Sequence, residues 1–336
     1  MEQWQDPFLE TNSEPAAPEN SFPPKYQKPE AAKSNIWLKS IVSLALYLLL
    51  GYYFFHSFNM LLLITIIVVF HELGHFIAMK AFRYKDLGIF FIPLLGAYVS
   101  GSKREVSQRE SAIILLAGPL PGIIAGIIFY LLYLQNPFLS IAGIPYYTIA
   151  ILFLFLNIIN LLPVYPLDGG QLLNRVFLDE ESIISKIFVW LSIGALIWFA
   201  LYGMGRPFYP LLIFPAMLIM RMFGDSKLDE VEKKVEAAGI NLDTSYEEMP
   251  DTDYWCMRDI LVTTHPAYRD IKPGPPYEYH EKEDRIMTSI QSLLHRHLVQ
   301  DVSLAGKIFI LIICIAAIAS PWLLNVDLSF FRQFGI

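Results

Sequence analysis

Long apolar runs alternate along this chain with short polar connections. The runs at 36–56, 59–82, 111–134, 146–164, 186–204 and 304–324 meet the requirement of about 20 apolar residues for an α-helix that crosses a bilayer. A shorter run, 207–221, contains Pro207, Pro210 and Pro215. It predicts a seventh span or a re-entrant segment, and a span is the reading adopted. Between the second and third runs, "YKDLGIFFIPLLGAYVSGSKREVSQRE" (84–110) sets glycines and Pro93 among β-type residues, which predicts extended structure in place of helix. Residues 224–303 form the sizeable polar block, with 17 Asp and Glu against nine Lys and Arg. Within it 226–238 and 283–300 read as amphipathic helices, separated by the proline-rich "HPAYRDIKPGPPYEYH". Residues 1–33 are polar and hold six prolines, with no basic n-region and short apolar core; this is the pattern of a disordered tail and not of a cleaved signal peptide. The expected fold is an α-helical polytopic membrane protein of six or seven spans, with a small membrane-associated β-hairpin and a cytoplasmic polar domain. Its expected divisions are a tail over 1–35, a membrane domain over 36–223, the acidic domain 224–303, and a last span with its tail over 304–336.

Composition names the medium. Of 336 residues 54% are hydrophobic and only 17% charged, with a mean hydropathy of +0.44. That apolar excess must face lipid, so the bilayer is the first expected partner. A formal net charge of −7 argues against nucleic acid. Cys256 lies in a polar stretch and Cys314 in an apolar one, so no disulfide and no cysteine metal site is expected. Basic residues next to the spans set the orientation. Lys25, Lys28, Lys33 and Lys39 precede or edge the first span; Arg83, Lys85, Lys103, Arg104 and Arg109 follow the second; Arg221, Lys227, Lys233 and Lys234 follow 207–221. With seven spans all three clusters fall on one side, the cytoplasm, together with the N-terminus.

One stretch carries chemistry. In "ITIIVVFHELGHFIAMKAF" (64–82), Glu72 is the only formally charged side chain between Ser40 and Met79. An ionised group near a bilayer centre costs at least ~2.5–3.5 kcal/mol, so function is the default reading. His71 and His75 are four apart and share one helix face, from which both imidazoles can reach one Zn²⁺; Glu72 between them is placed to act as general base. Gly74 leaves room for a neighbouring helix or a substrate backbone. A catalytic zinc takes three protein ligands and keeps a fourth position open. From Ser111 to Asn174 the one charged residue is Asp168, in "NIINLLPVYPLDGGQLLNR". Asp-Gly-Gly is also ordinary turn composition. Here, however, it follows an apolar span broken by Pro163 and Pro166, and a broken helix at membrane depth is tolerated only inside protein or beside a water-filled cavity.

These residues resemble a family. His71-Glu72-Leu73-Gly74-His75 with Asn160-Leu161-Leu162-Pro163 and Leu167-Asp168-Gly169-Gly170 is similar to the paired HExxH and Asn-x-x-Pro…Leu-Asp-Gly motifs of the site-2 proteases, intramembrane zinc metalloproteases of peptidase family M50. "PLLGAYVSG" (93–101) and "AGPLPG" (117–122) resemble flanking segments of the same family, and the likeness covers roughly 59–175. It implies zinc held by His71, His75 and Asp168, Glu72 as the catalytic base, and Asn160 as a polar contact to substrate. It also implies a transmembrane protein substrate, cut in regulated intramembrane proteolysis, and a bacterial inner membrane with the N-terminus in the cytoplasm. Gly96 and Tyr98 are expected at the substrate, since 88–101 can supply an edge strand that captures an unwound peptide; a re-entrant loop that seals the cavity is the alternative.

Other readings fit less well. Membrane proteases of the CAAX-processing type take a downstream Glu as third ligand, and no Glu lies between Glu110 and Glu180. A transporter would spread ionisable residues along a path, and a pseudoprotease that only binds zinc should have lost Glu72. His56 is interfacial in this reading, while His265, His280, His295 and His297 belong to solvated faces. The sequence does not speak to oligomeric state.

Overall fold

The computed structural model describes residues 22–27, 35–55, 57–92, 96–103, 106–178, 182–203, 207–242, 244–294 and 299–326. His56, Pro93, His295 and His297 lie outside these. The chain forms two units, 31–224 with 297–336, and 1–30 with 225–296.

The larger unit opens with helices α1 (Ile36–Phe55) and α2 (Phe58–Ala81). Ser57 caps α2, its side chain accepting from the Met60 N–H, which satisfies one of the orphan donors of a first turn. An antiparallel hairpin follows, β1 (Lys85–Ile92) and β2 (Gly96–Ser102), with Ile89 opposite Val99 and Phe90 opposite Tyr98. The outer edge of β1 leans on α1: the Phe91 N–H donates to Ser43 Oγ at 3.1 Å and the Phe91 ring packs on Tyr47. No strand pairs with the outer edge of β2 among the described residues.

The expected single helix over 111–134 is two, α3 (Gln108–Ala117) and α4 (Pro119–Gln135), with Gly118 between them. Proline at the first position of α4 has no N–H to donate back into α3, which favours a fresh start there. A miniature hairpin of β3 (Ser140–Ile141) and β4 (Ile144–Pro145) leads to α5 (Tyr146–Asn160). The expected span 146–164 thus stops at Asn160, ahead of Pro163. After a tight turn the chain enters the short α6 (Asp168–Leu172), continues as a wider helical turn to Leu178, and forms α7 (Ile183–Trp198).

The 207–221 stretch does not form a helix of its own. A turn at Tyr209–Leu212 leads into α8 (Ile213–Ala237), which passes from apolar to charged sequence. The smaller unit adds α9 (Asp251–Thr264) and α10 (Glu283–Leu294), and the chain then returns to the larger unit as α11 (Leu304–Leu323).

Among the described residues five stretches, Ile36–Tyr53, Phe58–Ala81, Gln108–Gln135, Ile183–Gly203 and Leu304–Leu323, are long and apolar enough to cross a membrane. Trp37, Leu38, Ile41 and Leu49 on α1 are all exposed, as befits a surface solvated by lipid. The smaller unit instead has a conventional core, in which Val231, Val235, Trp255, Leu261, Ile286 and Ile290 are buried together. Residues 22–27, inside the expected disordered tail, are packed on this unit through Phe22 and Tyr26. Two aromatic rings within a proline-rich stretch supply the apolar surface that a free tail lacks.

Candidate metal centre

Two helices bring the candidate ligands together. His71, Glu72 and His75 are buried on α2, and Asp168 starts α6. His71 Nε2 and His75 Nε2 are 3.0 Å apart, and Asp168 Oδ2 lies 3.0 Å from the first and 3.3 Å from the second. An ion at ~2.0–2.1 Å from each of three tetrahedral ligands requires ligand atoms about 3.3 Å apart. The triangle is close to that size.

The protons around the triangle point to the same use. His75 Nδ1 is 2.7 Å from the Ile114 carbonyl, which can only accept, so Nδ1 carries the hydrogen. His71 Nδ1 is 2.8 Å from Asn157 Oδ1, while the Asn157 amide donates to the Phe153 carbonyl at 2.8 Å. The amide orientation therefore makes Nδ1 the donor here too. With both Nδ1 positions protonated, each neutral ring turns a bare lone pair inward. Asp168 Oδ2, which is buried, receives no hydrogen bond. Two imidazole lone pairs and a carboxylate converging without a proton repel one another unless a cation lies among them. His71, His75 and Asp168 therefore suit a metal ion, and the carbonyl partners that orient each ring are the usual second-layer support of such a site.

Close backbone approach makes the arrangement possible. A Cβ on Gly118 would stand 2.3 Å from His75 Nε2, and one on Gly122 would stand 2.3 Å from the Asn157 side-chain amide. A Cβ on Gly74 would meet the Ala117 carbonyl oxygen at 1.9 Å. The room left by Gly74 is thus filled by the α3–α4 junction. Gly169 is equally closed, its Cβ falling 2.0 Å from the Leu161 carbonyl oxygen, so the Asp168 loop folds tightly back on the end of α5.

Glu72 is buried, and the backbone of Val99 on β2 hydrogen-bonds its carboxylate. Strand β2 thus approaches the candidate base. Of the expected substrate contacts, Asn160 donates to the Leu156 carbonyl of its own helix at 3.0 Å, and the structure brings Asn157, one turn earlier, against His71 instead. Gly96 opens β2 with φ +111°. Tyr98 is half exposed and stacks on Phe90 across the hairpin, with ring centroids 5.6 Å apart. Asn157, the hydrogen-bond partner of His71, is the residue of the candidate site that sequence reasoning missed. The available signal was a second asparagine within the apolar run "AILFLFLNIIN".

Comparison with known proteins agrees with this geometry. The peptidase family M50 sequence profile matches residues 59–143, which contain the His-Glu-x-x-His motif and the hairpin. A zinc metalloprotease of Methanocaldococcus jannaschii, MJ0392, is 31% identical over 134 residues, 40% of this chain and 38% of that protein. Stage IV sporulation protein FB of Bacillus subtilis is 31% identical over 121 residues, 35% of this chain and 40% of that protein. The chain thus spans well under half the length of the curated relatives it matches. The solved site-2 protease from Methanocaldococcus jannaschii aligns with 54% of this chain and 84% of its own, at 25% identity and a TM-score of 0.39. Both sequence motifs, the family profile over 59–143 and the two relatives support the site-2 protease family, peptidase family M50, as the family this chain resembles.

Proposed function

We propose that this protein is a zinc-dependent intramembrane protease that hydrolyses peptide bonds of transmembrane protein substrates. The observation that carries the reading is the convergence of His71 Nε2, His75 Nε2 and Asp168 Oδ2, which lie 3.0 to 3.3 Å from one another. Zinc is the expected ion, since two imidazoles and a carboxylate form an ordinary catalytic donor set for it. When bound, zinc supplies Lewis acidity to a carbonyl oxygen and acidifies water.

The chain's own residues do the rest. Glu72, next in sequence to one ligand, accepts a proton from the attacking water and delivers it to the leaving nitrogen. A substrate helix hides its amides, so it must unwind to be cut. The outer edge of β2 offers backbone groups that can hold the unwound segment as an added strand. Its hydrogen bond from Val99 to Glu72 would align that strand with the base. Asn160, Gly96 and Tyr98 belong to this substrate-facing layer in our reading. We place the protein in a bacterial inner membrane, cutting in regulated intramembrane proteolysis, with the N-terminus and 225–296 in the cytoplasm, following the basic clusters beside the spans.

The test separates metal binding from chemistry. Glu72→Gln retains metal and loses cleavage of a co-expressed transmembrane substrate by 10²–10⁴-fold, the usual contribution of a general base. Full turnover by this variant would falsify the protease assignment. Comparing membrane-protein fragments in cells carrying wild type or Glu72→Gln then identifies the substrate.

A further inference from the structure

Residues 22–27, Phe-Pro-Pro-Lys-Tyr-Gln, lie on an aromatic and acidic face of the 225–296 unit. Their carbonyls meet a row of aromatic donors. Trp255 Nε1–H donates to Pro23 O at 2.7 Å, the Tyr279 hydroxyl donates to Pro24 O, and the Tyr246 hydroxyl donates to Tyr26 O at 2.5 Å. The Lys25 N–H donates to Asp251 Oδ1 at 2.7 Å, and its ammonium donates to the carbonyls of Glu247 and Met249 at 2.7 and 2.6 Å. Phe22 packs on Tyr277 with ring centroids 5.2 Å apart. Tyr26 packs on Tyr279 at 5.4 Å and donates to Asp284 Oδ1 at 2.9 Å.

This is more than the packing of a tail. Consecutive prolines have no N–H and a fixed φ, so they present carbonyl acceptors and ring faces at low entropic cost. The groove answers with indole and phenol donors, aromatic faces, a carboxylate for the Lys25 backbone N–H and two carbonyls for its ammonium. Grooves that recognise proline-rich peptides use the same chemistry.

We propose that the 225–296 unit is a peptide-recognition module for an extended Pro-Pro-Lys segment of another protein, filled in this structure by the chain's own residues 22–27. A ligand on the same chain acts at an effective concentration on the order of millimolar. Residues 22–27 therefore exclude a weak external peptide until they are displaced. This site is independent of cleavage, and its test reads binding alone.

The probe is a fluorescently labelled peptide, "NSFPPKYQKPE" (residues 20–30), titrated against detergent-purified chain by anisotropy. The chain lacking residues 1–27 binds it, and the intact chain binds it about ten- to hundredfold more weakly. Lys25→Glu in the intact chain, which opens the groove without a deletion, also raises affinity. Tyr279→Phe removes one donor at a half-exposed position and weakens binding to the truncated chain without lowering its melting temperature. No binding to either opened form, or equal binding to intact and truncated chains, overturns the proposal. So does a dimeric intact chain beside a monomeric truncated one, which would make the groove a site of exchange between copies.

Discussion

Two buried carboxylates in this chain stand in opposite circumstances. In the 225–296 unit, Glu283 is almost wholly enclosed and fully served. It accepts from Arg258 Nε at 2.8 Å and Nη2 at 3.2 Å, from the Tyr254 hydroxyl at 2.6 Å, and from the His280 N–H at 3.0 Å. Burial, and then the neighbouring Glu283 carboxylate, pushes the Tyr254 phenol well above its ordinary pKa, so it remains a donor. In the membrane unit, Asp168 Oδ2 is buried and has no donor, only two imidazole nitrogens turned lone pair first. The first arrangement is complete and holds a fold together. The second is complete only with a cation that the chain does not itself provide. A buried charge becomes a functional candidate when its surroundings leave it unfinished.

Breaking each arrangement should have different consequences. The largest effect is expected from Asp168→Ala, which removes one of three candidate ligands; metal measured by atomic absorption falls to background while the 225–296 unit melts normally. Arg258→Ala does the reverse. Stranding Glu283 without its guanidinium costs about 3–5 kcal/mol of folding stability, read by denaturant unfolding of the smaller unit, and metal content is unchanged. Asn157→Leu keeps the bulk beside Gly122 but removes the acceptor for His71 Nδ1–H. Metal affinity in chelator competition then falls about 10–100-fold, as for other supporting residues of metal sites. Asn160→Ala is the mildest: metal affinity stays, and the loss of cleavage is confined to KM.

The convergence of His71, His75 and Asp168 was legible because a charge in an apolar run is conspicuous. One glutamate among forty residues, flanked by histidines four apart, and one aspartate after a proline-broken span leave few alternatives. Which asparagine supports the ring was not legible. Asn157 and Asn160 share one face of α5 at i and i+3, and only the contact of Asn157 with His71, in the room that Gly122 leaves, shows which one turns to α2. The hairpin was anticipated from its glycines and β-type residues, but its contact with Glu72 depends on a tertiary approach that no local pattern encodes. The break at Gly118 had a signal in Gly-Pro, outweighed by the even hydrophobicity on both sides. Docking of 22–27 had none, because a short proline-rich stretch has the same composition free or bound.

That clasp also constrains how the chain is threaded. Residues 22–27 come before α1, and the unit that grips them comes after α8. Lys25 is hydrogen-bonded to the carbonyls of Glu247 and Met249, 222 and 224 positions further on. Whatever path the intervening apolar stretches take, both ends of that long loop must come back to one place.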